Sequence, residues 1–316
     1  MKLHKVFCAT ACAAFVVLSQ AHAADITIGA DTVGGSYYLY AGGLATYLTE
    51  KNAALQATAR TTRGSVENVR LLDRNQLDFG LANASVVAQQ KAGINQFNNA
   101  QSDRIRGIAI LDLSPTHVIT LADSGIKTLM DLRGKRVSIG ASGSGGANVA
   151  RNILQVLGIL NDVKIAYLGY DESATNLRDG NLEAIIQGSG LPMPSLVDLT
   201  TTRKVRLIPF DRDFIAKLQK EAPAIEVTII PANTYNGIDY DVTTIGTPST
   251  LVTRDNINED IAYTVTKTLL SADNHKYMKA IYRAWDPKPG FALWKRVGVP
   301  LAPGAEKAYR EAGLLK

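Results

Sequence analysis

Four short stretches rich in Gly and Ser carry the groups of this chain that could do chemistry: residues 30–36 (ADTVGGS), 62–65 (TRGS), 140–146 (GASGSGG) and 188–194 (GSGLPMP). Each follows an apolar, strand-like run and opens a helical pattern. The first-turn N–H groups of a helix have no partner within it. The positive end of the helix dipole lies there too, and glycine lets a ligand approach the backbone. To these donors the chain adds the hydroxyls of Ser36, Ser65, Ser142, Ser144 and Ser189 and the amides of Asn68, Asn83 and Asn148. Tyr37, Tyr38 and Tyr235 offer aromatic walls, and Arg63 is the cation nearest a loop. Such a lining suits a small polar or carboxylate solute held by fixed donors. A bare strand-to-helix connection has the same local pattern, and Tyr37 serves equally well as a core anchor. Four such loops in one chain are what favour binding.

The same inventory offers little for catalysis. A Ser-His-Asp triad needs a histidine beside a nucleophilic turn, yet His117 falls mid-strand and His275 in a helical run, and no G-x-S-x-G elbow occurs. Asp171 and Glu172 read as helix-start acids that suit the dipole. Gly143-x-Gly145-x-x-Asn148 resembles a dinucleotide fingerprint without its last glycine, and it does not follow the first strand. No Gly-Lys-Ser/Thr follows the glycines, which excludes a P-loop. Of the four histidines, His4 and His22 fall within the first 23 residues, and neither of the other two has ligand spacing around it. The expectation is a binding protein with no enzymatic activity, no metal and no cofactor.

Lys2 and Lys5, the apolar run 6–18 and Ala21-His22-Ala23 have the pattern of a signal peptide cleaved after Ala23. The run is shorter than the roughly 20 residues a membrane span needs. Residues 1–23 are therefore expected to leave, placing 293 of the 316 residues in the periplasm. Cys8 and Cys12 leave with them, which removes disulfides, thiolate nucleophiles and thiolate metal sites. Of 34 basic residues Lys2 and Lys5 are lost, and against 29 acids the net charge becomes +3. Interspersed signs at that level point to neither nucleic acid nor a membrane surface.

What must position the loops is an alternation of strands and helices. Strands are expected at 25–29, 55–61, 76–82, 105–112, 117–122, 137–139, 163–168, 182–187, 205–209 and 225–230, and an extended segment at 242–254. Helical faces follow the loops, as in Tyr37, Ala41, Leu44 and Leu48, or Val149/Ala150 and Ile153/Leu154. Ser65 is the expected N-cap of its helix, and the chain from 258 on is helical throughout. Strand–helix alternation predicts an α/β fold with mostly parallel sheets. Two crossings, at Ser114-Pro115 and at Gly246 to Pro248, divide it into two lobes: 24–113 with 244–316, and 114–243. In such sheets ligands lie beyond the carboxyl ends of the strands, so all four loops are expected at one interlobe cleft with a hinge.

In this order, ADTVGGSYYLYAGGLATYL, GSVENVRLLDRNQLDFGLAN, ADSGIKTLMDLRGKRVSIGASGSG, the Leu191-Pro192 loop after AIIQG, and TYNGIDYDVTTIGTPSTLV resemble the TAXI branch of the solute-binding receptors of TRAP transporters. The likeness covers essentially the whole chain past residue 23. It implies a type II periplasmic binding fold that closes on a small organic acid, a dicarboxylate or an acidic amino acid. The receptor, a monomer, would hand this cargo to the membrane permease subunits of a TRAP transporter driven by an ion gradient. Docking on a membrane sensor and an exported enzyme on the same fold are the alternatives. The matching positions implied as contacts are Gly35, Ser36, Tyr37, Gly64, Ser65, Asn68, Ser142, Ser144, Gly145, Tyr235 and Thr247. Arg63 replaces the small residue common in the family, and Gly146 a common threonine. A guanidinium at 63 could anchor a carboxylate bidentately.

Overall fold

A computed structural model describes residues 23–222 and 224–316; the expected leader, apart from Ala23, lies outside them. In chain order the elements are β1 (Ala24–Gly29), α1 (Ser36–Lys51), β2 (Leu55–Arg60), α2 (Ser65–Asp73), β3 (Phe79–Asn83) and α3 (Ala84–Ala92). They continue with β4 (Ile105–Leu121), β5 (Arg136–Ser138), α4 (Gly145–Val156), β6 (Lys164–Ala166), α5 (Tyr170–Arg178), β7 (Ala184–Gly188), α6 (Pro194–Thr202) and β8 (Val205–Leu207). The last are α7 (Arg212–Glu221), β9 (Glu226–Ile230), β10 (Val242–Arg254), α8 (Glu259–Leu270), α9 (Ala272–Ile281), α10 (Phe291–Val297) and α11 (Pro303–Glu311). No helix among the described residues is long and apolar enough to cross a membrane.

The strands run β2-β1-β3-β10-β4-β7-β5-β6, with β8 on β4 and β9 on β10. Each end of this path is a parallel trio built the same way, β1 flanked by β2 and β3, and β5 flanked by β6 and β7. The mostly parallel sheet expected from the alternation is thus confined to the two trios, because β4 and β10 run antiparallel to every strand they pair with. Both return through the molecule instead of crossing over by a helix.

The residues expected as two strands split by Pro115 form one, β4, which changes partner on the way. Its residues up to Pro115 pair with β10, and from Thr116 it pairs with β7. Proline has no N–H to give a ladder, and it sits where one ladder ends and the next begins. The apolar cores divide at the same place. Leu111 and Leu251 belong to a core with β1, α1 and the C-terminal helices, whereas Val118 and Ile245 belong to one with β5, α4 and α7. Hydrophobic burial therefore produces two lobes joined by two continuous strands.

Helix α3 has no counterpart in the sequence expectations. Its buried side chains are Ala84, Val86, Val87 and Gln90, and its far turn is Gln89-Gln90-Lys91, so its apolar periodicity is weak. Asn83 supplies what the pattern lacks: its side chain caps the helix by accepting the Ser85 N–H at 3.1 Å.

Candidate functional site

The starts of α1, α2, α4 and α5, the residue that caps α3 and the middle of β4 and β10 meet around a cavity of about 30 Å³ buried between the lobes. It is lined by Asp31, Ser36, Tyr37, Ser65, Asn83, Ser114, Thr116, Gly146, Val149, Tyr170, Gly188 and Thr247. All four Gly/Ser loops reach it. Solute pockets in proteins usually hold roughly 300–1,000 Å³, so the cleft is closed in this conformation. A larger hollow of about 780 Å³ lies between the Leu191-Pro192 turn, residues 231–234 and the end of α9, away from these helix starts.

Direct bonds hold the two lobes together at the cavity. Ser36 N–H donates to Ser189 Oγ at 3.2 Å, and Gly190 N–H donates to Ser36 Oγ at 3.1 Å. At Gly145 an added Cβ would stand 2.7 Å from Ser65 Oγ in the other lobe, so only glycine allows that approach. Gly64 has a different reason for being glycine: its φ of +99° is closed to other residues, and a Cβ there would meet Asp31 Oδ2 at 2.8 Å.

Asp31 is the one charged side chain on the cavity wall and is 6% exposed. Burial pushes its carboxyl up to about 7, outweighing the bonds that Thr32 makes to Oδ1 from its N–H at 2.7 Å and its hydroxyl at 3.5 Å. Tyr37 is buried and Tyr170 half-buried beside it, and their phenols are pushed up by loss of solvent and by the nearby acids. Tyr170 Oη donates to Gly188 O at 2.7 Å, fixing its ring at the cavity edge.

Of the residues expected to touch a ligand, Ser36, Tyr37, Ser65, Asn83 and Thr247 line the cavity together. Asn83 Nδ2 also donates to Thr247 Oγ1, joining α3 to β10. Ser65 is the first residue of α2 and not its cap, which is Gly64; its Oγ accepts the Asn83 N–H at 3.0 Å. Gly35, Gly64 and Gly145 abut the wall residues Tyr170, Asp31 and Ser65, and Ser189 bonds Ser36.

Other expected contacts lie elsewhere. Asn68 is fully buried behind the first loop, where Nδ2 donates to Ala30 O at 2.7 Å and Leu81 O at 2.8 Å. Ser142 and Ser144 face an adjoining hollow of about 430 Å³, and Ser144 Oγ is taken by the Ala147 N–H as the cap of α4. Tyr235 lies beneath β4: its hydroxyl donates to His117 Nε2 at 2.8 Å and accepts the Met193 N–H at 2.8 Å. Pro115 O can only accept, so His117 Nδ1 carries the ring proton toward it at 3.1 Å, and burial lowers the His117 pKa to about 4. Arg63 is exposed and does not line the cavity, so the structure does not bring an anchoring guanidinium to this wall. Its backbone N–H donates to Glu67.

Asp31, Ser114, Thr116, Gly146, Val149, Tyr170 and Gly188 line the cavity without having been expected as contacts. Asp31 had a signal, an acid set inside an otherwise neutral Gly/Ser loop just past a strand. Ser114 and Thr116 flank Pro115 on one strand. Tyr170 had none, because it comes from the lobe opposite the loops it faces.

Residues 28–313 match the NMT1-like family. Among solved structures, the periplasmic binding protein BugD superposes with a TM-score of 0.58 at 13% identity, over 92% of this chain and 98% of that one. XAC2383 from Xanthomonas citri, solved bound to ATP, gives 0.54 at 9% identity over 90% and 98%. Tv2483, solved bound to L-arginine, gives 0.52 at 14% identity over 83% and 90%. At these identities the likeness shows the fold, the two-lobed type II arrangement of periplasmic binding proteins.

Proposed function

The chain belongs to the NMT1-like family and has the fold of periplasmic solute-binding proteins; from that premise we propose that it is an exported receptor for a small organic acid. The observation that carries this reading is the convergence of helix starts from both lobes on one closed cavity lined by hydroxyls and amides. Such a wall offers donors fixed in advance and no nucleophile–base pair, so the solute is bound and released unchanged.

The proposed cargo is a dicarboxylate or an acidic amino acid, and the proposed route is delivery to the permease subunits of a TRAP transporter. Support for the route comes from the TAXI-like segments, among them ADTVGGSYYLYAGGLATYL and TYNGIDYDVTTIGTPSTLV. The proposed binding set is Ser36, Tyr37, Ser65, Asn83, Gly146 and Thr247. At a volume of about 30 Å³ the cavity must widen to admit a solute. The proposed hinge is the pair of strands β4 and β10 at Pro115 and Gly246, which lie opposite each other in the ladder.

A thermal-shift panel of organic acids and amino acids tests the receptor reading, because a ligand that binds only the folded state raises the melting temperature with concentration. Silence across the whole panel would sink it. Uptake into vesicles holding the permease, dependent on this protein and an ion gradient but not on ATP, tests the route.

A further inference from the structure

The cavity wall carries a carboxylate without a cation. Asp31 Oδ1 is occupied by Thr32, whereas Oδ2 accepts no hydrogen bond among the described residues and stands beside Gly64. No Lys or Arg is among the lining residues. Arg63, next in the chain to Gly64, is exposed, and Arg151 lies in the adjoining hollow with its guanidinium donating to Tyr167 Oη at 3.1 Å. The groups facing Asp31 from the other elements are the phenols Tyr37 and Tyr170 and, farther off, a second buried acid, Asp112. A carboxylate 94% buried is costly unless a positive or hydrogen-donating group meets it. A dicarboxylate entering this space would add negative charge to a wall that already has one and offers no cation in return.

Across the cavity the chemistry is opposite in sign. Gly146 lies in the first turn of α4, where Ser144 caps only the Ala147 N–H. The Gly145 and Gly146 N–H groups donate to nothing among the described residues. The wall thus has an acceptor in one lobe and free donors at a helix start in the other. A solute with an ammonium and a carboxylate on neighbouring carbons matches both.

We propose that Asp31 Oδ2 receives the ammonium group of the ligand, so that this receptor takes a small α-amino acid and rejects the dicarboxylate or monocarboxylate of the same skeleton. The proposal rests on the receptor reading above and narrows its cargo. Asp31 is then the specificity-determining residue, and the α4 start together with Ser65 receives the carboxylate.

Calorimetry on the exported chain with three matched pairs tests this: alanine against propionate, aspartate against succinate, glutamate against glutarate. In at least one pair the amino compound is expected to bind about tenfold or more tightly than its partner. In Asp31→Asn, checked for a single cooperative melt, that preference is expected to collapse to within about twofold. Succinate, glutarate or propionate binding as tightly as its amino partner would overturn the proposal, as would full preference in Asp31→Asn. If the variant does not fold, the wild-type pairs decide alone. No binding by any of the six compounds also overturns it, whereas the receptor reading falls only if the broader panel is silent as well.

Discussion

The two βα halves share one plan, and their differences show what each contributes. In both, a central strand is flanked by the second and third strands of its own half, and the loop past it opens a helix at the cleft. In both, the fourth residue of the second helix is fully buried and ties that helix to the central strand. Asn68 bonds Ala30 O just past β1, and Ser173 Oγ meets Ser138 Oγ of β5 at 2.7 Å. The halves part company two residues past the central strand. There the first half has Asp31, and the second has Gly140 with φ +94°. One half therefore brings buried charge to the cleft and the other brings an uncharged helix start. A repeated scaffold can present unlike chemistry on its two sides because the halves differ in the loops they bring to the cavity and not in the strands that carry those loops.

The largest test of that asymmetry is Asp31→Asn. The folded carboxyl titrates near 7 and the unfolded one near the usual 3.8, so the folded state holds the extra proton between them. Wild-type stability should therefore fall, on account of this group, as pH rises from about 4 to 7. His117 works the other way: its folded pKa of about 4 lies below the usual 6.5, so its contribution grows over much of that window. The difference between variant and wild type isolates Asp31. It should increase from near zero at pH 4 to about 4 kcal/mol in favour of the variant at pH 8, read by urea denaturation. A flat difference would mean that the two halves do not differ in buried charge.

Next in size is Asn68→Ala, which removes two buried hydrogen bonds, one to Leu81 O and one to Ala30 O, which keeps the Thr62 hydroxyl, and should cost about 2–4 kcal/mol. Gly64→Ala should cost about 1–3 kcal/mol, since its φ of +99° excludes a side chain. Gly169, which caps the corresponding helix of the second half, has φ −64° and should lose clearly less as alanine by the same denaturation measurement. Equal losses at the two glycines would show that the second-helix caps are not shaped differently. The smallest effect expected is that of Ser173→Ala, about 1–2 kcal/mol in thermal or urea unfolding, since Ser138 Oγ loses its partner while Gln187 Nε2 keeps Leu168 O. A loss as large as that of Asn68→Ala would make the two tethers equivalent.

Much of this plan was legible beforehand. Strands β1, β2, β5 to β10, their loops and most helices follow from apolar periodicity broken by Gly and Pro, and the repetition of strand, small-residue loop and helix foretold four loops at one cleft. The continuity of β4 through Pro115 was not legible, because whether a proline ends a strand depends on which neighbours pair on either side of it. Nor was α3, whose helix rests on the Asn83 cap more than on a periodic face. Within the site, Ser36, Ser65 and Asn83 were readable as donors and Tyr37 as an aromatic wall, but Asn68 and Tyr235 are of the same types as Asn83 and Tyr37 and spend their polar groups on backbone and His117.

By itself the sequence determined the composition of the site: small residues for close approach, hydroxyls and amides for donors, and two crossings to divide the chain. These are local properties, set by each residue's own groups and its neighbours in the chain. Only the tertiary structure decided which of those groups face the cavity, and that Arg63 stays outside while Asp31 is buried within. Burial and pairing depend on surfaces that bring Asp31 against Gly146 and Tyr170, both more than a hundred positions further along the chain, and no local pattern encodes what those surfaces exclude from water.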